Sequence, residues 1–113
     1  MKTYEILYSA PNAHSTPELN NYLHSRIEQI GKEFSIVERC EVTLQKNHST
    51  HGECEVKARL FLPRYVYTSR ENQRDFMEAV QIVFDELNQQ LQELVERMHD
   101  KALTINAGFQ ATV

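Results

Sequence analysis

The chain has 113 residues, 41% of them hydrophobic and 25% charged, with a formal net charge of −4. This is the size and make-up of one globular domain, which can bury roughly two thirds of the surface its unfolded chain exposes. It excludes intrinsic disorder and a uniformly basic surface, and no run of ~18 apolar residues offers a membrane span.

The N-terminus, M-K-T-Y-E-I-L-Y, has neither the apolar stretch nor the small-residue cleavage site of a secretory signal, so the expected compartment is the cytoplasm. Residues 2–9 alternate Tyr4, Ile6 and Tyr8 with polar neighbours, the period of a strand. After the loop A-P-N-A-H comes S-T-P-E-L, a helix start. Thr16 can cap, Pro17 suits the first helical position because its missing N–H would be unpaired there, and Glu18 favours the positive end of the dipole. Leu19, Leu23, Ile27, Ile30 and Phe34 then form one apolar helical face, and Gly31 marks an end near residues 30–33.

Residues 36–46 place Cys40, Val42 and Leu44 on one side of a strand and Arg39, Glu41, Thr43 and Gln45 on the other. Residues 53–62 do the same with Cys54, Val56, Ala58, Leu60 and Leu62 against Glu53, Glu55, Lys57, Arg59 and Phe61. These are two half-buried strands joined by the polar hairpin loop N-H-S-T-H-G. Pro63-Arg64 makes a second tight connection, to a short strand over 65–69. The last helix starts at Asp75, with Glu78 as a capping-box partner, and its stripe is Phe76, Val80, Val83, Phe84, Leu87, Leu91, Leu94 and Met98. Residues 102–113, A-L-T-I-N-A-G-F-Q-A-T-V, have no clear period and read as a flexible or loosely docked tail behind a single domain, 1–101.

The predicted order is β-α-β-β-β-α. The economical packing is an α+β two-layer sandwich, a four-stranded sheet with both helices on one face. The open face would carry Arg39, Glu41, Thr43, Lys57, Arg59 and Phe61.

Few residues suggest chemistry. If the hairpin turns near His48–His51, Cys54 faces residue 44–45, which is too far from Cys40 for a disulfide, so both read as reduced core thiols. His48 and His51 lack a third ligand at metal spacing and read as a solvated loop. There is no legible Ser/His/Asp order, phosphate-binding glycine loop or H-E-x-x-H. The reading is a non-enzymatic protein without a cofactor or small-molecule substrate.

Charge is unevenly distributed. Residues 75–101 hold seven acids (Asp75, Glu78, Asp85, Glu86, Glu93, Glu96, Asp100) against Arg97 and Lys101. Residues 57–74 hold five bases (Lys57, Arg59, Arg64, Arg70, Arg74) against one acid. These bases could neutralise phosphates, and Phe61 or a tyrosine nearby could stack on bases. The plainer reading is that outward Lys and Arg keep strands apart and in solution.

The element order, the segment S-T-P-E-L-N-N-Y-L-H-S-R-I-E-Q-I-G-K-E-F and above all D-F-M-E-A-V-Q-I-V-F-D-E-L-N-Q-Q-L resemble the ribosome hibernation-promoting factor family. That family includes the ribosome-associated inhibitor, and its members have also been called sigma-factor modulation proteins. The resemblance covers about residues 2–100. It implies a stress or stationary-phase factor that docks on the small ribosomal subunit and its RNA between head and body, and silences translation without chemistry. RNA contact in the family runs largely through basic residues on the two helices. Here Arg26 and Arg97 keep such charge. Asn20, Gln29, Glu86, Gln89, Glu93 and Val95 stand where the family is typically basic.

The basic segment 57–74 together with the bases left on the two helices gives the candidate RNA-binding set Arg26, Lys57, Arg59, Arg64, Arg70, Arg74, Arg97 and Lys101. The chain ends at residue 113, which reads as the short form, without the C-terminal dimerisation domain of longer members. The alternative is the same fold used as a protein-binding module, its acidic helix face meeting a basic partner.

Overall fold

Alternation in the strands and a four-residue apolar spacing in the helices meet in one core. A computed structural model of the chain describes residues 3–8, 16–47 and 53–112, with side chains for 3–8, 16–46 and 53–99. The elements are β1 (Thr3–Tyr8), α1 (Pro17–Glu33), β2 (Arg39–Asn47), β3 (Glu53–Phe61), β4 (Val66–Gln73) and α2 (Phe76–Thr112). The sheet order is β1-β2-β3-β4, with β1 parallel to β2 and the other two pairs antiparallel. The α+β, β-α-β-β-β-α architecture expected from the sequence is the observed one.

Both helix starts are capped as their residue types suggest. Thr16 has extended backbone, and its Oγ1 accepts the Leu19 N–H at 3.1 Å, with Pro17 following. Asp75 Oδ1 accepts the Met77 N–H at 3.1 Å. At the end of α1 the Phe34 N–H donates to the Ile30 carbonyl at 2.8 Å. Leu19, Leu23, Ile27 and Ile30 from α1 and Phe76, Ala79, Val80, Val83, Phe84, Leu87, Leu91 and Leu94 from α2 are buried against the inner face of the sheet. That face supplies Cys40, Val42, Leu44, Cys54, Val56, Ala58 and Leu60. α2 lies over β3 and β4. The other sheet face carries Arg39, Glu41, Thr43, Lys57, Arg59 and Phe61, as alternation requires.

Four details differ from the sequence reading. β4 runs to Gln73 rather than stopping at residue 69, because the ladder to β3 continues to the Cys54–Gln73 pair although Arg70–Gln73 carry no apolar alternation. Cys54 faces Lys46, and Cys40 faces Leu60. The thiols are therefore six ladder steps, about 20 Å, apart, and both are free and buried. Met98 keeps the angular position of the buried stripe but is 48% exposed, because the helix has passed beyond the last buried position, Leu94. Finally, α2 continues as helix to Thr112, where the sequence predicts a tail from residue 102. Residues 102–112 contain no proline to interrupt it. His48 and His51 lie outside the described residues. No helix among the described residues is long and apolar enough to cross a membrane.

Candidate functional site

The eight bases singled out from the sequence occupy separate places. Arg26 sits between the two helices. Its Nη2 donates to Asp85 Oδ1 at 2.9 Å and its Nη1 to the Tyr22 hydroxyl at 3.0 Å. Its guanidinium carbon lies 5.8 Å from the Phe84 ring centroid and 5.9 Å from that of Tyr22. Burial alone would lower the Arg26 pKa, but the hydrogen bonds and charges of Asp85 and Tyr22 more than offset this and hold it above its ordinary value. Arg26 is a charged strut between helices, with only 19% of its side chain exposed.

Lys57, Arg59 and Arg70 share the open face of the sheet. Lys57 pairs across the ladder with Arg70. The three arginines of this face, Arg39, Arg59 and Arg70, each have a carboxylate partner. Arg39 Nη2 reaches Glu5 at 2.9 Å and Glu41 at 3.2 Å, Arg59 Nε lies 4.0 Å from Glu41, and Arg70 Nη2 lies 2.9 Å from Glu55. Such exposed pairs contribute little to stability each. Their effect is to reduce the positive field that a phosphate would meet. Arg74 lies at another end of the molecule, beside Lys46, Glu18 and Asp75. The Lys101 side chain lies outside those described.

Arg64 and Arg97 are brought together. Leu62-Pro63-Arg64-Tyr65 is a tight turn closed by the Leu62 N–H donating to the Tyr65 carbonyl at 2.8 Å. Proline presets the backbone of such a turn and lifts Arg64 off the sheet end. α2 passes alongside and contributes Leu94, Arg97 and Met98. Between turn and helix lies an open cleft of about 560 Å³, lined by these residues with Ile36, Leu62, Tyr65 and Tyr67. Tyr65, at the end of the turn, and Tyr67 of β4 have rings 10° from parallel and centroids 6.3 Å apart. Tyr65 is 55% exposed. The lining includes two guanidinium groups and no carboxylate. Among the described residues, neither Arg64 nor Arg97 makes an ion pair; Glu93, one turn before Arg97, instead accepts from Gln89 at 3.4 Å.

The acidic face of α2 is also partly used within the molecule. Asp85 holds Arg26. Glu86 Oε2 accepts from the hydroxyl of Ser69, a buried polar residue of β4, at 2.6 Å. Asp75 caps the helix. Glu78, Glu93 and Glu96 remain exposed.

Residues 6–99 match the family described as Sigma 54 modulation protein / S30EA ribosomal protein. The chain belongs to this family. Its fold is similar to that of a ribosomal subunit interface protein from Coxiella burnetii, with a TM-score of 0.69 and 14% identity over 83% of this chain and 98% of that one. It is similar again to the N-terminal domain of Protein Y from Thermus thermophilus, with a TM-score of 0.66 and 17% identity over 83% of this chain and 99% of that one. At these identities the likeness is one of fold. No curated protein matches the chain. Within the family frame, the last helix of this chain has put several of its acids to internal use, Asp85 on Arg26 and Glu86 on Ser69 among them. The cleft is only partly visible in the sequence, which marks Arg64 and Arg97 but does not place Ile36, Leu62 and Met98 beside them. The one local signal is L-P-R-Y-V-Y, a turn followed by two aromatics in alternate positions.

Proposed function

We propose that this protein associates with ribosomes as a non-enzymatic factor, docking on the small subunit and its RNA and inhibiting translation under stress. The observation that carries this is the family match over residues 6–99. Two structural relatives support it, one a ribosomal subunit interface protein and the other Protein Y. On this reading the protein works in the cytoplasm through the domain of residues 1–101, and needs no cofactor. RNA contact falls first to Arg64 and Arg97, which share one cleft and make no ion pair among the described residues. Arg26 supports the helix pair instead, and the open sheet face, with its arginines in ion pairs, is secondary. Arg74, Lys57 and Lys101 add charge at the margins.

The test is sedimentation of stationary-phase lysate at low and moderate salt. The wild-type protein is expected to run with small subunits or whole ribosomes, and Arg64→Glu/Arg97→Glu to stay at the top. Removing one arginine that neutralises a phosphate should reduce the salt dependence by about one counterion. A wild-type protein that stays at the top at low salt would sink the reading.

The ion pairing of Arg26, Arg59 and Arg70 favours a second reading, a protein-binding module. Glu78 and Glu96 are five turns apart on one line of α2, with Glu93 roughly 60° away, and this strip would meet a basic protein. Retention of partner binding by Arg64→Glu/Arg97→Glu, with loss in Glu78→Lys/Glu96→Lys, would support it.

A further inference from the structure

We propose that the cleft between the Leu62–Tyr65 turn and α2 is a single-strand RNA subsite that takes one unstacked base against Tyr65 and the phosphates on either side of it against Arg64 and Arg97. This rests on the ribosome reading and names the RNA feature that the surface would recognise.

The wall of the cleft is flat, aromatic and open. The exposed Tyr65 ring lies nearly parallel to Tyr67, which is packed on the core and holds the platform in place. Leu62, Leu94, Ile36 and Met98 give the floor an apolar surface, and Met98 adapts to irregular shapes. A volume of about 560 Å³ is within the range of sites that hold one small ligand. The two guanidinium groups meet no carboxylate in the lining, so an anion is the complementary partner. Apolar stacking surface combined with arginines that make no ion pair among the described residues suits a nucleotide better than an acidic peptide, which offers charge but no flat face. It also suits a single strand better than a duplex, whose bases are stacked away from such a platform.

The two halves of the site should separate in solution. Purified protein is titrated into fluorescein-labelled ten-residue oligoadenylate, oligouridylate, an RNA duplex of equal length and a polyglutamate peptide, followed by anisotropy over a range of salt. Expected is binding of single strands above duplex and peptide. Tyr65→Ala should weaken binding about five- to a hundred-fold with an unchanged salt slope. Arg64→Gln or Arg97→Gln should each lower the slope by about 0.7. These side chains are exposed, so the melting temperature should stay within a degree or two of wild type, and this is measured alongside.

Equal binding of duplex and single strand, an unaltered affinity in Tyr65→Ala, or preference for polyglutamate overturns the proposal. A protein that runs with ribosomes but ignores single strands removes the subsite and leaves the ribosome reading standing. One that binds single strands but never runs with ribosomes does the reverse.

Discussion

Cys40 shows how strongly position decides the behaviour of one residue. It is fully buried on the inner face of β2, and burial, aided by Glu41 and opposed by Arg39, pushes its thiol up to about 12. Burial also raises Cys54. Thiolate is the reactive form, so neither is suited to nucleophilic or redox work. The sign of the pH effect follows. Between the unfolded thiol value near 9 and the folded value near 12 the folded state holds the extra proton. Stability is therefore fully present below about pH 9 and falls as pH rises towards 12, by up to about 1.4 kcal/mol per pH unit from Cys40 alone. Urea unfolding at pH 8, 9 and 10 should show this decline in wild type and a shallower one in Cys40→Ala. Both cysteines are legible as core thiols from alternation alone. The partners of Arg26 and Arg39 are not. Asp85 is fifty-nine residues from Arg26, and Glu5 meets Arg39 only because β1 and β2 run parallel.

At the scale of elements, local chemistry specifies the fold closely. The Thr16-Pro17-Glu18 start works as its residue types suggest, so Thr16→Ala should cost about 1 kcal/mol, read as a lower midpoint in urea with an unchanged slope. The two element ends that differ from expectation lack local signals. Beyond Ser69, β4 is an edge strand whose inward positions, Glu71 and Gln73, are polar, so pairing with β3 rather than hydrophobicity extends it. Beyond Leu94, α2 has left the sheet, and the apolar period that marked it loses its cause while the backbone continues as helix. Met98 records that change: a stripe residue whose sheet is no longer beneath it. The cleft forms where the Leu62–Tyr65 turn meets the overshooting end of α2, which is why its lining could not be assembled from sequence spacing.

For the whole molecule, the distribution of charge matters more than its sum of −4. Arginines on the sheet are answered by glutamates and the interhelical arginine by an aspartate, while Arg64 and Arg97, without an ion pair among the described residues, meet at the end where α2 overshoots. One pair of neighbours makes that arrangement possible. Asp85 and Glu86 reach in different directions, the first to α1 and the second to β4. Together they act as two pins that stop α2 from rolling about its own axis. Eleven residues, about three turns, separate Glu86 from Arg97, which returns Arg97 to nearly the same bearing some 16 Å further along, at about 1.5 Å per residue. The bond to Ser69 thus aims a guanidinium it never touches. Glu86→Ala should lower stability by about 1–2 kcal/mol, since it orphans a buried hydroxyl. In a double-mutant cycle it should also couple to Arg97→Gln in RNA affinity, whereas Glu78→Ala should add independently. The acid at position 86 would then serve as a gunsight for the arginine three turns away.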